Sequence, residues 1–588
     1  SVRPDAADSV ATPMIAAGDT FTLALKYDGT VWGWGANESG QLVDSSLGTG
    51  GSPSPVQILN LPADIVQISV GIGFALALTS IKNDGSGGEI YGWGLNNYSQ
   101  LGIGKGLSPQ KTPVKIPEFS GAVYIAAGYY NGFAVKKDGS LWSWGYNGLG
   151  QLGIGNMKDQ PVPVRVRGGS SGSAFMADVV QVAPGYYHTL ALKANGSVFA
   201  FGSGQWGQLG NGVYSEATGV YHNVVLDAKV YNTPIQVLKG AQTTSKSGYL
   251  ENVVELAAAG GYGEVRTQQI SSARTVYKYT GTSLAVTEDG TVYGWGDSHY
   301  GALGNRNKRN PNPIRVSTGA IGISVGGVGN SEIKGSPDFP YEDLYEKHTN
   351  GSYIYTQVLK TDGTIETRGY NAQGQLGNGS QTNSNSTKAS GLSGMTYVAS
   401  SVNGYHQAAV KADGTVWTWG LNDKGQLGNN TTYGSNDYNA NAKPYKANAV
   451  GNEPNIISYR LTPLQVGGDE VNDTLRVHEG RIMQGSAAVR TYADKGELLT
   501  NIRIADNQTF VIDLNKIERA MGFELLGNGI YPAQAPFTVK SSDPRIATIV
   551  DGNTVKPVGG GVYGTTVITI TDALGYRATI RVSVRPDA

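Results

Sequence analysis

Cysteine is absent from this chain of 588 residues. Disulfides, thiolate nucleophiles and cysteine-based metal sites are therefore excluded. Charge is also scarce. Asp, Glu, Lys and Arg together make up 15% of the sequence, the net charge is −1, and no stretch collects Lys and Arg. Nucleic-acid binders draw much of their affinity from neutralising phosphates, so no nucleic-acid partner is expected, and no anionic membrane surface either. No apolar run approaches the roughly 18 residues of a membrane span, so direct membrane insertion is not expected. Ser1 opens without a charged-then-apolar leader, which places any targeting peptide outside this segment. The six histidines are His188, His222, His299, His348, His406 and His478, and they form no HExxH or paired metal spacing. Gly-x-Ser-x-Gly elbows and phosphate-binding loops are missing too. The expectation is a chain that is not an enzyme, with no catalytic residue, no metal and no cofactor.

Glycine, by contrast, is abundant. Its 84 residues are about twice the usual share of roughly 7%. They recur in order. One phrase returns seven times, as VWGWGANESGQL from Val31, IYGWGLNNYSQLGIG from Ile90, LWSWGYNGLGQLGIG from Leu141, VFAFGSGQWGQLGNG from Val198, VYGWGDSHYGALGN from Val292, IETRGYNAQGQLGNG from Ile365 and VWTWGLNDKGQLGNN from Val416. The residue before the marker glycine is Trp34, Trp93, Trp144, Phe201, Trp295, Arg368 and Trp419, with gaps of 59, 51, 57, 94, 73 and 51. A period near fifty with insertions predicts propeller blades of four short strands.

Each copy has the same grammar. An apolar strand ends in Ala-Gly or a similar pair, and a second strand alternates, as in TLALK at Thr22 and Thr189. A turn such as Asp138-Gly139 or Asn195-Gly196 leads into the Trp-bearing strand, and such pairs favour two-residue hairpins. A Pro-led strand closes most copies, as in TPVKI at Thr112 and TPIQV at Thr233. These residues resemble the regulator of chromosome condensation repeat family, over roughly 13–450. The resemblance implies a seven-bladed propeller. Some members act as guanine-nucleotide exchange factors or bind chromatin, but no exchange surface can be carried over residue by residue. Secreted bacterial members bind protein partners on one face.

The repeated Trp, Gly, Gln and Leu read as scaffold, with Trp and Leu filling the wedge between blades. Arg368 in place of the aromatic and Val43 in place of glycine mark altered packing or a local contact. Candidate contacts lie where the chain crosses a propeller face: Tyr129, Tyr130, Tyr186, Tyr187, His188, Tyr405 and His406. Tyrosine suits recognition because it offers large area, little entropy cost and a polar tip. Two insertions, over roughly 214–278 and 326–351, are expected to carry function or interface. The second contains Asp338, Glu342, Asp343 and Glu346 among Phe339, Tyr341 and Tyr345. It lacks the ordered spacing of a calcium loop, so a solvated acidic loop is expected.

Beyond the seventh copy the texture changes. The stretch 537–584 resembles the second half of bacterial immunoglobulin-like group-two domains, and a short helix is expected over 514–521. The chain both begins and ends with Ser-Val-Arg-Pro-Asp-Ala. This repetition suggests residues 1–9 as the tail of a preceding module, 10–455 as the propeller and 456–588 as an immunoglobulin-like β domain. The expected fold class is all-β, a seven-bladed propeller plus a C-terminal immunoglobulin-like sandwich. The expected function is a repeating unit of an extracellular or cell-surface filament, sheath or stalk, whose partner is a neighbouring copy of itself. Two alternatives are an adhesin or inhibitor-like module that binds a surface protein or glycan through the tyrosines, and an enzyme acting on polysaccharide.

Overall fold

A computed structural model describes most of residues 14–429 and 459–466. Beyond these it describes 489–490, 501–512, 518–519, 531–532 and most of 536–585. Among the described residues all regular structure is β apart from short single-turn segments. Seven sheets follow one another along the chain, each built on an antiparallel meander of four strands; the fifth also takes a short parallel strand from the stretch between the first two strands of the sixth. Blade one comprises Met14–Ala17, Phe21–Leu25, Val31–Gly35 and Ser52–Gln57. Blade three comprises Ala122–Ala127, Asn131–Lys136, Leu141–Gly145 and Gln160–Arg165. Blade seven ends on Tyr459–Gln465, paired with Val416–Leu421. The propeller therefore runs past the boundary expected at residue 455. First strands of neighbouring blades contact each other around the ring, so the first strand of each blade is the innermost.

The core is divided into wedges. Each blade-to-blade interface holds one cluster of buried apolar side chains, and the large side chain of the Trp-bearing strand enters the cluster it shares with the preceding blade. Trp93 packs with Phe21, Leu42 and Ile68. Trp144 packs with Phe74, Leu101 and Ile125. Trp34 closes the ring against Ala408, Val410 and Val416 of blade seven. The scaffold reading of Trp and Leu agrees with this packing.

A hydrogen bond accompanies every such indole. Nε1 of Trp93, Trp144, Trp295, Trp419 and Trp34 donates to the carbonyl of Gln41, Gln100, Gln208, Gln375 and Gln426 of the preceding blade, at 2.8–2.9 Å. Blades four and six lack the indole. There the hydroxyls of Thr189 and Thr356 reach the equivalent carbonyls of Gln151 and Ala302, both at 2.8 Å. In blades one, five and seven both donors are present, because Thr22, Ser283 and Gln407 also reach the shared carbonyl. The side chain of each of these glutamines accepts from the backbone amide two residues earlier, as at Gln41, Gln100 and Gln426. The Gly-Gln-Leu loop is thereby stiffened where it meets the next blade.

The marker glycine has a backbone cause. Gly35, Gly94, Gly145 and Gly420 lie at φ between +91° and +101°, where L-residues are strained. A Cβ on any of them would sit 2.2–2.5 Å from a carbonyl oxygen at the start of the second strand. Val43 stands where other copies have the glycine after Gln-Leu, as Gly102 and Gly153, and keeps φ at +58°, with its side chain buried in the first wedge. Arg368 is buried at the aromatic position of blade six. It donates to the Val316 carbonyl at 3.2 Å and pairs with the Glu366 carboxylate. Burial would raise the Glu366 pKa, but the Ser317 hydroxyl at 2.6 Å and the Arg368 charge outweigh it and hold it down to about 2. This substitution is altered packing, not an exposed contact.

The insertions become extensions of the inner hairpins. In blade five, Val253–Thr267 pairs along its length with Thr275–Thr287, and Glu332–Lys334 adds in parallel. The acidic loop containing Asp338, Glu342, Asp343 and Glu346 lies outside the described residues, as does the N-terminal Ser-Val-Arg-Pro-Asp-Ala. In the C-terminal part a four-stranded sheet contains Asn501–Ala505, Arg577–Arg585, Gly564–Thr571 and Thr538–Ser541. A three-stranded sheet contains Phe510–Val511, Thr554–Pro557 and Ala547–Val550. Ile504, Ile512, Val555, Ile568 and Val582 form one core between them. The helix expected over 514–521 is contradicted at Glu518–Arg519, a strand paired with Tyr531–Pro532 and Val489–Arg490. Tertiary pairing overrides local helix preference there.

Two outcomes test the wedge. Trp93→Phe and Trp144→Phe, with no second donor to the shared carbonyl, are expected to cost about 1–3 kcal/mol. Trp34→Phe and Trp419→Phe, with Thr22 and Gln407 in reserve, are expected to cost under about 1 kcal/mol. Equal losses in denaturant unfolding would contradict this bonding scheme. Glu366→Gln is expected to cost roughly 2 kcal/mol near neutral pH. A depressed carboxylate stabilises the fold above its unfolded pKa, so the deficit should shrink as pH falls from about 4.5 towards about 2. A deficit that is constant with pH would count against the pairing.

Candidate functional site

The turn between the first and second strands and the end of the third strand lie side by side, because antiparallel pairing returns both to one face. The amide of Tyr146 donates to the carbonyl of Tyr130, and the amide of Ser203 to that of Tyr187. Aromatic side chains gather on this face. Tyr98 meets Tyr130 and Tyr146, with ring centroids at 4.9 and 5.2 Å. Tyr186 meets Tyr129 at 4.2 Å, Tyr187 at 4.5 Å and Tyr130 at 6.0 Å. Tyr187 continues to Tyr279 at 4.9 Å and Tyr262 at 6.2 Å on the extended hairpin of blade five. These eight tyrosines, from blades two to five, make one continuous network. A second group joins His299, Tyr300, Tyr353, Tyr370 and Tyr405 across blades five to seven.

The residues singled out in the sequence divide accordingly. Tyr130, Tyr186 and Tyr187 come together in the first network, whereas Tyr405 belongs to the second. Tyr129 lies beneath the surface. Its hydroxyl donates to the Gly260 carbonyl at 2.6 Å, accepts from the Gly260 amide at 3.1 Å and reaches the Gly327 carbonyl at 3.2 Å. It thus ties blade three to blades five and six across the axis.

His188 and His406 are not on the face at all; both are fully buried. Nε2 of His406 bonds the Thr22 hydroxyl at 2.9 Å and Nε2 of His188 bonds the Ser283 hydroxyl at 3.0 Å. Each histidine pins its blade to a neighbour. Burial holds both imidazoles down to about 3, so they stay neutral.

Sequence reasoning missed Tyr98, Tyr146, Tyr262, Tyr279, Tyr300, Tyr353 and Tyr370. A signal was available. Tyr146 and Tyr370 immediately follow the marker glycine, and Tyr98 and Tyr300 occupy the same loop position in their copies. Asp19 was missed as well. It stands beside the same face, accepts from the Gly73 amide at 3.2 Å, and is pushed up to about 6, chiefly by burial. The phenols of Tyr186 and Tyr187 are driven far above the usual range, first by burial and then by neighbouring tyrosines. They act as neutral hydrogen-bonding groups. No cluster of metal-ligating side chains occurs among the described residues.

Residues 3–330 match the RCC1-like domain family, and residues 413–458 match the regulator of chromosome condensation repeat. The chain belongs to the RCC1-like family. Among its relatives is the ultraviolet-B receptor UVR8 of Arabidopsis thaliana, 27% identical over 72% of this chain and 81% of that protein. The human E3 ubiquitin-protein ligase HERC2 is 27% identical over 70% of this chain. The match spans only 7% of HERC2, so the ligase name belongs to a far larger protein. The structure of Prp20p from Saccharomyces cerevisiae, described with its binding to Gsp1p and histones, superposes with a TM-score of 0.51 at 19% identity, covering 79% of this chain and 88% of Prp20p. At that identity the likeness establishes the fold.

The relatives overturn two expectations. An extracellular filament, sheath or stalk unit does not fit propeller relatives that are a photoreceptor, a ubiquitin ligase and a protein binding Gsp1p and histones. The expected extracellular or cell-surface location is contradicted by the same relatives. The filament expectation rests on the matching Ser-Val-Arg-Pro-Asp-Ala ends, of which the N-terminal copy lies outside the described residues. Self-assembly has no support from the relatives.

The buried histidines yield a test. A native imidazole held down to about 3 remains neutral where an unfolded one protonates below about 6.5. Their stabilisation is complete above about 6.5 and is lost as pH falls towards 3, at about 1.4 kcal/mol per pH unit for each histidine. Replacing both, as His188→Gln with His406→Gln, is expected to lower the melting temperature at pH 7.5 and to flatten its fall between pH 7 and 5. An unchanged slope would show that these side chains do not carry the acid sensitivity.

Proposed function

We propose that this chain is a non-catalytic protein-binding propeller of the regulatory kind, and that the tyrosine network of blades two to five is its partner surface. The observation that carries the reading is the network itself: eight tyrosines from four blades join, Tyr129 beneath and the others towards one face, while the rings of the wedge strands are consumed by packing. Partner binding by a relative, as in the description of Prp20p with Gsp1p and histones, supports the class of activity. Tyrosines arranged this way give a rigid, amphipathic area at small entropy cost, and interface energy concentrates on a few such anchors. Tyr130, Tyr186 and Tyr187 remain in the proposed site and are joined by Tyr98 and Tyr146. His188, His406 and Tyr129 are assigned to holding it up. The C-terminal two-sheet unit is read as an immunoglobulin-like module, on the sequence pattern of 537–584 and a core shared between its sheets.

Affinity capture with this chain, followed by titration of the purified partner, tests the proposal. Tyr98→Ala with Tyr146→Ala is expected to weaken that binding at least tenfold without lowering the melting temperature of the wedge core. Retention of full affinity would place the partner surface elsewhere.

A further inference from the structure

The tyrosine face differs from the flanks of the blades in one respect. Along the blade flanks several rings are covered by the chain's own cations. Lys26 lies over Trp32, Lys136 over Phe119 and Trp142, Arg165 over Phe175, Lys193 over Phe199, and Lys411 over Trp417. None of Tyr98, Tyr130, Tyr146 and Tyr186 has a lysine or arginine over it among the described residues. The charged neighbours that bear on these phenols are acidic, namely Asp19 at Tyr130 and Asp159 at Tyr146.

The rings are also accessible: Tyr98 is 41% exposed, and Tyr130, Tyr146 and Tyr186 are half-buried. Asp19 stands at the edge of the network. Its carboxylate accepts from the Gly73 amide at 3.2 Å, and no ion pair to it occurs among the described residues. The charge that acts on it is that of Glu38, a carboxylate already paired with Lys424 at 2.9 Å. Among the described residues the site therefore combines uncovered ring faces with a carboxylate that has no cation paired to it. Ring faces attract ammonium and guanidinium groups through their quadrupole, guanidinium most often.

We infer that this face receives an extended segment of a partner protein through its arginine or lysine side chains, with their cations over Tyr98, Tyr130 and Tyr146 and one of them reaching the carboxylate of Asp19. The inference rests on the reading of the tyrosine network as the partner surface. It adds the chemistry of what is bound. A neutral proline-rich segment or a glycan would use the rings alone and would be indifferent to Asp19.

The test is calorimetric titration of the full chain with a synthetic peptide of alternating arginine and glycine, alongside the same peptide with citrulline for arginine. Citrulline keeps the shape and removes the charge. The arginine peptide is expected to bind at least tenfold more tightly. Asp19→Asn keeps an acceptor for the Gly73 amide and is expected to reduce that affinity about five- to tenfold. Tyr98→Ala with Tyr146→Ala is expected to remove most of it, while Lys193→Ala on a blade flank changes nothing. Equal binding of the two peptides, or arginine binding that survives the tyrosine substitutions, overturns the inference. Failure of the partner-surface reading is recognised separately: a captured partner would then be insensitive to the tyrosines altogether. A partner that needs the tyrosines but ignores Asp19→Asn overturns only the cationic chemistry.

Discussion

The hydrogen bond from one blade to the glutamine carbonyl of the blade before it carries the architecture. Each blade is a small sheet that could not bury its apolar side alone, and all but the sixth contribute one large ring to the wedge shared with the preceding blade. The ring supplies area, and the indole N–H satisfies a carbonyl that packing would otherwise strand. Where the indole is lost, a threonine hydroxyl of the second strand takes over, as Thr189 and Thr356 do. The bond thus persists while its donor changes, which indicates that satisfying the carbonyl is the constraint and tryptophan only the commonest means. Trp34, Thr22 and His406 close the same scheme between the first and seventh blades, across nearly four hundred residues of chain, without a covalent link.

That economy leaves one face free to vary. The marker glycine must turn the chain where a Cβ would strike a carbonyl, and Gln-Leu must meet the next blade. The residue after the glycine and the residue two before the glutamine meet neither demand. Those positions read Tyr146, Tyr370, Tyr98 and Tyr300 in some copies, and Ala36, Leu95, Gln373 and Lys424 in others. Recognition chemistry can be written there without disturbing the wedge, so a ring of similar blades can present tyrosine-rich sectors on that face.

How much of this was legible in the sequence follows from the range of each signal. Hairpins with Asp-Gly or Asn-Gly turns and the returning Trp-Gly phrase are local, so blade number and strand order could be read directly. The last strand of blade seven was missed although Thr462-Pro463-Leu464-Gln465-Val466 repeats the Pro-led pattern, because a long insertion separates it from its copy. His188 and His406 were misjudged by a single residue. Each follows a face tyrosine, but the strand begins at the histidine and turns it inward. Asp19 and the gathering of the tyrosines depend on which turns meet around the axis, and adjacency in sequence does not report that. The filament reading rested on the matching Ser-Val-Arg-Pro-Asp-Ala ends and not on the blades, and it is the relatives that contradict it.

Hydroxyl-radical footprinting of the chain with and without a bound protein partner tests the central claim most directly. Tyr98 and Tyr249 are almost equally exposed, at 41% and 40%, but only Tyr98 belongs to the network. The account predicts that the partner protects Tyr98, Tyr130, Tyr146 and Tyr186 and leaves the reactivity of Tyr249 unchanged. Protection confined to Tyr249 or to the outer strands, with the network still reactive, would contradict it.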